Sequence, residues 1–145
     1  MAKALIAYAT RTKKTEEIGN LIAEGMRFSG IEVDLRPAQD IKKVEDLTGY
    51  DAFVFGSATY HGEMMQAMKT MLFLAEQAEL KGKVGGSFGS FGWSGEAPDR
   101  IFDTMKHIFE MDVVGGALRL KKASVQGGIQ AAQDYGKQIA KKLEG

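Results

Sequence analysis

Three stretches of the sequence carry side chains suited to holding a phosphorylated, planar ligand. The first reads Thr10-Arg11-Thr12-Lys13-Lys14-Thr15. Hydroxyls beside a helix start suit a phosphate, because unpaired backbone amides and the helix dipole both favour an anion there. Each of the three threonines can donate one hydrogen bond to a phosphate oxygen. The competing reading is plain helix capping by Thr12 or Thr15, with Thr10 as a turn residue. The stretch is neither GxxxxGK[ST] nor GxGxxG, which disfavours a nucleotide P-loop or a dinucleotide site.

The second stretch reads Gly56-Ser57-Ala58-Thr59-Tyr60-His61-Gly62-Glu63 and offers an aromatic ring, small residues and a conformationally free glycine. The third reads Phe88-Gly89-Ser90-Phe91-Gly92-Trp93-Ser94-Gly95-Glu96. Aromatics interleaved with glycines bring backbone amides close to a flat ligand and give it surfaces to stack on. The competing reading is a glycine-rich turn whose aromatics pack into the core. Phe88 is read as core, because it ends an apolar run. Trp93 is read as a stacking residue, because its small neighbours belong to a surface loop.

The elements that must position these stretches follow from the apolar spacing. Short apolar runs at residues 3–8, 31–35, 52–55, 83–88 and 112–120 read as strands. Helical spacing predicts helices over 14–29, 64–78, 98–110 and 127–143, with a short helical turn at 44–47. Ile18, Leu21, Ile22, Gly25 and Met26 form the inner stripe of the first helix, and Gly30 ends it. Ala67, Met68, Met71, Leu72 and Ala75 face inward on the second, and Ile101, Met105 and Ile108 on the third. Strands alternating with helices predict an α/β domain with a mainly parallel sheet covered on both faces. In such a sheet ligands bind outside the carboxyl ends of the strands. The three stretches follow strands one, three and four, so they meet at one edge. FMN is the simplest ligand with a phosphate and a planar aromatic ring.

Composition narrows the classes. The chain has 145 residues, 44% hydrophobic and 26% charged, which fits one domain spanning 1–145. It has no cysteine and two histidines, so thiolate sites, iron–sulfur clusters and a histidine-rich metal site are excluded. Nineteen basic and nineteen acidic side chains leave no broad footprint for nucleic acid or an anionic membrane. No signal peptide or spanning segment is read, and a cytoplasmic setting is expected.

Along its whole length the sequence resembles the flavodoxin family, and especially the flavodoxin-like domains of flavodiiron (A-type) flavoproteins. Thr10, Thr12 and Thr15 match that family's T/S-x-T-G-x-T phosphate loop, with Lys13 in place of the usual glycine. The Gly-Ser-Phe-Gly-Trp-Ser-Gly run over residues 89–95 resembles the flavin-ring loop of the flavodiiron group. The resemblance implies a three-layer sandwich with a five-stranded parallel sheet in the order 2-1-3-4-5. It implies that Thr10, Arg11, Thr12, Lys13, Lys14 and Thr15 hold the FMN phosphate. Ser57, Ala58, Thr59, Tyr60, His61 and Gly62 would line one side of the flavin ring, and Ser90, Phe91, Gly92, Trp93 and Gly95 the other. The His61-Gly62 peptide resembles the one that turns over to accept the proton at flavin N5. No catalytic residue or metal is implied.

The expected role is an electron carrier between a redox donor and a redox acceptor, rather than an enzyme with its own substrate. Rubredoxin, ferredoxin and flavodiiron-type partners are all compatible with it. The main rival is a small NAD(P)H-dependent FMN quinone reductase, a class that needs added loop length for a substrate pocket. A signalling receiver would need paired acids after strand one, where Tyr8, Ala9 and Thr10 stand. A cofactor-free module would leave the aromatic loops without a purpose.

Overall fold

The computed structural model describes residues 2–10, 13–60, 63–90, 96–120 and 126–144, with the side chain of Tyr60 excepted. Strand β1 (Lys3–Ala9) leads into helix α1 (Lys14–Phe28), then β2 (Glu32–Pro37) and two single 3-10 turns at Ala38–Asp40 and Val44–Leu47. Next come β3 (Ala52–Ser57), the short strands β4 (Thr59–Tyr60) and β5 (Glu63–Met64), and helix α2 (Gln66–Gln77). Strand β6 (Val84–Ser90), helix α3 (Glu96–Asp103), a wider turn at Thr104–Ile108, strands β7 (Asp112–Val113) and β8 (Leu118–Leu120), and helix α4 (Gly128–Glu144) complete the order.

The main sheet runs β2-β1-β3-β6, and β7 and β8 share the last edge position against β6. Every pairing in it is parallel. The expected five-position order therefore holds, with the fifth strand in two pieces. The apolar runs lack alternation because both faces of each strand are covered. Along β1, Leu5, Ala7 and Ala9 join the core beneath α2 and α3, with Met68, Met71 and Ile101. Ala4, Ile6 and Tyr8 join the opposite core beneath α1 and α4, with Ile18, Ile22 and Ile139. Among the described residues no helix is long and apolar enough to cross a membrane.

Helices α1 and α4 touch backbone to backbone. A Cβ on Gly25 would lie 2.0 Å from the carbonyl oxygen of Gln133, and one on Gly136 would lie 2.1 Å from that of Ile22. Only glycine permits that approach.

The third helix and the fifth strand differ from the sequence expectation. Ile108, expected to face inward, is 61% exposed, while Phe109 is buried. The Phe109 amide donates to the Thr104 carbonyl at 3.0 Å, a π-type turn that takes one residue more than an α turn. The extra residue advances the inward stripe by one position. The fifth strand, expected to be continuous over 112–120, breaks after Val113. In the gap, Tyr135 of α4 replaces the missing ladder: its hydroxyl accepts from the Ser87 amide at 2.9 Å and donates to the Gly116 carbonyl at 3.0 Å.

Candidate functional site

The register sets the site. Ala9 at the end of β1 pairs with Ser57 of β3, and Gly56 pairs with Phe88 of β6. The amide of Ala58 donates to the carbonyl of Ala9 at 3.0 Å. The chain therefore leaves these three neighbouring strands at the same edge of the sheet. Gly89 keeps β6 close to β3, since a Cβ there would lie 2.3 Å from the Ser57 carbonyl oxygen. Phe88 is fully buried, as its place at the end of an apolar run suggested.

At the first loop, Lys13 is the residue before α1 and takes a left-handed conformation, φ 67° and ψ 0°. The first helical hydrogen bond joins the Glu17 amide to the Lys13 carbonyl at 3.0 Å. The amides of Lys14, Thr15 and Glu16 thus precede the helical ladder, and the Lys13 side chain makes no cap hydrogen bond to them. Thr10 Oγ1 is buried and has no hydrogen-bond partner among the described residues. A buried hydroxyl in that state calls for an acceptor or donor from outside the chain. Thr15 is fully buried, and its Oγ1 lies 2.8 Å from Ser90 Oγ at the end of β6. Two hydroxyls have two protons between them, and their mutual bond uses one, so the pair keeps one proton to donate. The bond also ties the first loop's helix directly to the third stretch, a link that sequence spacing does not reveal. Lys13 and Lys14 are exposed.

The second stretch is more ordered than a simple loop. Thr59 pairs with Met64 and Tyr60 with Glu63, forming a short antiparallel ribbon. Ser57 Oγ accepts from the Met65 amide at 2.9 Å and donates to the Ala58 carbonyl at 2.9 Å, closing the base of the ribbon. Thr59 Oγ1 accepts from the Ala97 amide in the first turn of α3 at 3.1 Å. Glu63 bridges Lys69 and Arg100. The hydrogen bond from Lys69, then the charge of Arg100, hold the Glu63 carboxyl below the usual carboxylate range. Met64, on the second strand of this ribbon, is buried in the core together with Met68 and Met71. Tyr8, at the carboxyl end of β1, has its phenol pushed up by burial and then by the nearby charges of Glu16 and Asp40.

Of the expected binding residues, the structure brings Thr10, Lys13, Lys14, Thr15, Ser57, Ala58, Thr59 and Ser90 to one edge. Arg11, Thr12, His61, Gly62, Phe91, Gly92, Trp93 and Gly95, and the Tyr60 side chain, lie outside the described residues. Among the described residues no group of three or more His, Asp or Glu side chains is placed to hold a metal. Among the described residues, the unpartnered Thr10 hydroxyl, the spare proton of the Thr15–Ser90 pair and the amides that open α1 ahead of its ladder fit a phosphate monoester.

Comparison with known proteins places the chain among similar sequences and folds. Residues 6–141 match the flavodoxin family model. An NAD(P)H dehydrogenase (quinone) of Bradyrhizobium diazoefficiens is 30% identical, over 88% of this chain and 79% of its own. The type A flavoprotein fprA of Rhodobacter capsulatus is 27% identical over 97% of this chain and 33% of its own length. Among solved structures, a flavodoxin from the domain Archaea superposes with a TM-score of 0.91 at 29% identity, covering 99% of each chain.

Proposed function

This chain belongs to the flavodoxin family, and on that premise we propose that it binds FMN at the carboxyl edge of its sheet and carries electrons between protein partners. The observation that carries the reading is the buried Thr10 hydroxyl with no partner among the described residues, beside a start of α1 that Lys13 does not cap with its side chain. An anion there gains amide hydrogen bonds and the helix dipole together. Bound FMN supplies reversible one- and two-electron transfer.

The chain's own residues then have separate roles. Thr10, Thr12 and Thr15, with the first amides of α1, hold the phosphate. Arg11, Lys13 and Lys14 offset its charge. Ser57 and Ala58 fix where the ribbon leaves β3. Tyr60 and Trp93 would flank the ring and exclude water from it, and the His61-Gly62 peptide would serve its N5 edge. Phe91, Gly92 and Gly95 would line the opposite side.

The test is flavin titration of the apoprotein, with the spectrum of the purified protein recorded first. FMN binds at about one per chain, and Thr10→Val weakens it by about tenfold, the worth of one charge-assisted hydrogen bond. Riboflavin, which lacks the phosphate, binds Thr10→Val and wild type alike. An apoprotein that takes up no FMN, or a Thr10→Val variant that loses both flavins equally, refutes the site. The name of the Bradyrhizobium relative favours one second reading, an NAD(P)H-dependent quinone reductase. Steady NADPH oxidation with a quinone and catalytic enzyme would establish it; its absence in an FMN-loaded protein leaves the carrier.

A further inference from the structure

The β4–β5 ribbon has little apolar anchorage of its own. Each strand contributes two residues, and an isolated two-stranded ribbon is marginal in water. Of its described side chains only Met64 is buried. Its other ties are polar. Each carboxylate oxygen of Glu63 meets a different helix: Oε2 accepts from Lys69 Nζ of α2 at 2.8 Å, and Oε1 lies 3.1 Å from Arg100 Nε of α3. Thr59, on the other strand, accepts from the amide of Ala97 in α3 at 3.1 Å. These contacts tie the ribbon that carries residues 61–62 to the helix that begins directly after residues 91–95. Those are the two stretches assigned to opposite sides of the flavin ring.

We propose that Glu63 is a positioning residue: through Arg100 it clamps the ribbon to α3 and so fixes the two elements from which the ring-flanking stretches extend. FMN affinity then depends on an ion pair that does not touch FMN. The inference rests on the FMN reading above. An isolated exposed pair contributes little to stability, but here one carboxylate serves two helices. Once Lys69 has fixed the Glu63 side chain, the ordering cost of the Arg100 contact is lower. The main sheet and its two cores do not depend on this contact, so breaking it shifts the ribbon without unfolding the chain.

The experiment measures FMN dissociation constants for wild type, Glu63→Gln, Arg100→Gln, Arg100→Lys and the Glu63→Gln/Arg100→Gln double variant, with apoprotein melting recorded for each. Each Gln variant binds FMN about fivefold more weakly, near the upper end for an exposed ion pair. The double variant is no worse than Glu63→Gln, which already breaks the Arg100 contact. Arg100→Lys recovers part of the affinity, and apoprotein melting barely moves. A through-space charge effect on an anionic ligand behaves differently: it tightens binding in Glu63→Gln and weakens it in Arg100→Gln. Opposite shifts, additive shifts, or affinity losses matched by lost apoprotein stability overturn the clamp. Wild type that binds FMN alongside unaffected variants overturns the clamp alone. Wild type that takes up no FMN overturns the cofactor reading, and the clamp with it.

Discussion

Removing one oxygen from Tyr135 tests how the broken edge of the sheet is held together. In Tyr135→Phe the ring keeps its buried position, 5% exposed, and only the hydroxyl is lost. That hydroxyl accepts from the amide of Ser87, a fully buried residue of β6. It donates to the carbonyl of Gly116, an exposed residue in the strand break. The two losses are unequal. Gly116 can turn its carbonyl to water at little cost, whereas a buried amide left without an acceptor costs about 1–3 kcal/mol. No neighbouring strand can take over, since β7 pairs with β6 at Val84 and Gly85 and β8 resumes at Phe88. The variant is therefore less stable by about 1–3 kcal/mol. In a chain of this size that lowers the melting temperature by roughly 3–10 °C. The assay is urea and thermal unfolding of the apoprotein, followed by far-ultraviolet circular dichroism. FMN affinity is unchanged, because the hydroxyl sits in the sheet's edge and not among the site residues. A loss below about 0.5 kcal/mol, the usual scatter for a substitution that touches nothing of consequence, would refute the idea that Tyr135 stands in for missing ladder bonds.

The same hydroxyl gives a pH signature. Burial pushes the Tyr135 phenol up to about 12, with the Ser87 amide bond opposing the shift. The unfolded chain ionises near the ordinary value of 10.0, so this contribution to stability is complete below that pH. It is lost at up to about 1.4 kcal/mol per pH unit as pH rises toward the folded value. Unfolding measured across this range is less steep in Tyr135→Phe than in wild type. Lys13→Gly relieves a left-handed backbone that costs a non-glycine residue about 1–2 kcal/mol. Part of that gain is offset by the freer unfolded chain, so apoprotein melting rises modestly and FMN affinity at high salt is unchanged. Gly136→Ala forces α1 and α4 apart against a backbone carbonyl. It lowers the urea-unfolding stability by about 3 kcal/mol, and a loss under about 1 kcal/mol would mean that the two helices are free to separate.

The parallel sheet was legible because β1 and β3 are buried on both faces and so read as unbroken apolar runs. The break in the last strand falls at Gly115-Gly116, two residues of low strand propensity between Val114 and Ala117. The shift at Ile108 left no comparable mark, because a π turn arises from packing rather than from one residue type. At the site, the hydroxyl loop after β1 could be read from composition and position alone. The departure at Lys13 was visible in the sequence, but its left-handed conformation was not: lysine rarely adopts it, and only the surrounding chain imposes it. The ribbon was hidden because two-residue strands are too short for any periodicity to register. The roles of Thr59 and Ser90 were hidden for another reason. Each hydroxyl meets a partner from a distant element, Ala97 and Thr15, and local spacing carries no record of such contacts.

The interrupted last strand also bears on how these molecules meet one another in a concentrated solution. An open sheet has two rims where outward-facing amides and carbonyls can recruit a strand from a neighbouring molecule. At the β2 rim, Glu32, Asp34 and Arg36 bring charge, and the strand finishes at Pro37, which has no amide hydrogen to offer. The opposite rim has no proline in its described strands. It presents two residues, Asp112–Val113, then a four-residue break, then three more, Leu118–Leu120. An arriving strand finds too few consecutive partners there to lock a register before the line is lost. The tyrosine that fills the break from inside thus leaves it open from outside, and the sheet resists growing from molecule to molecule into a ribbon.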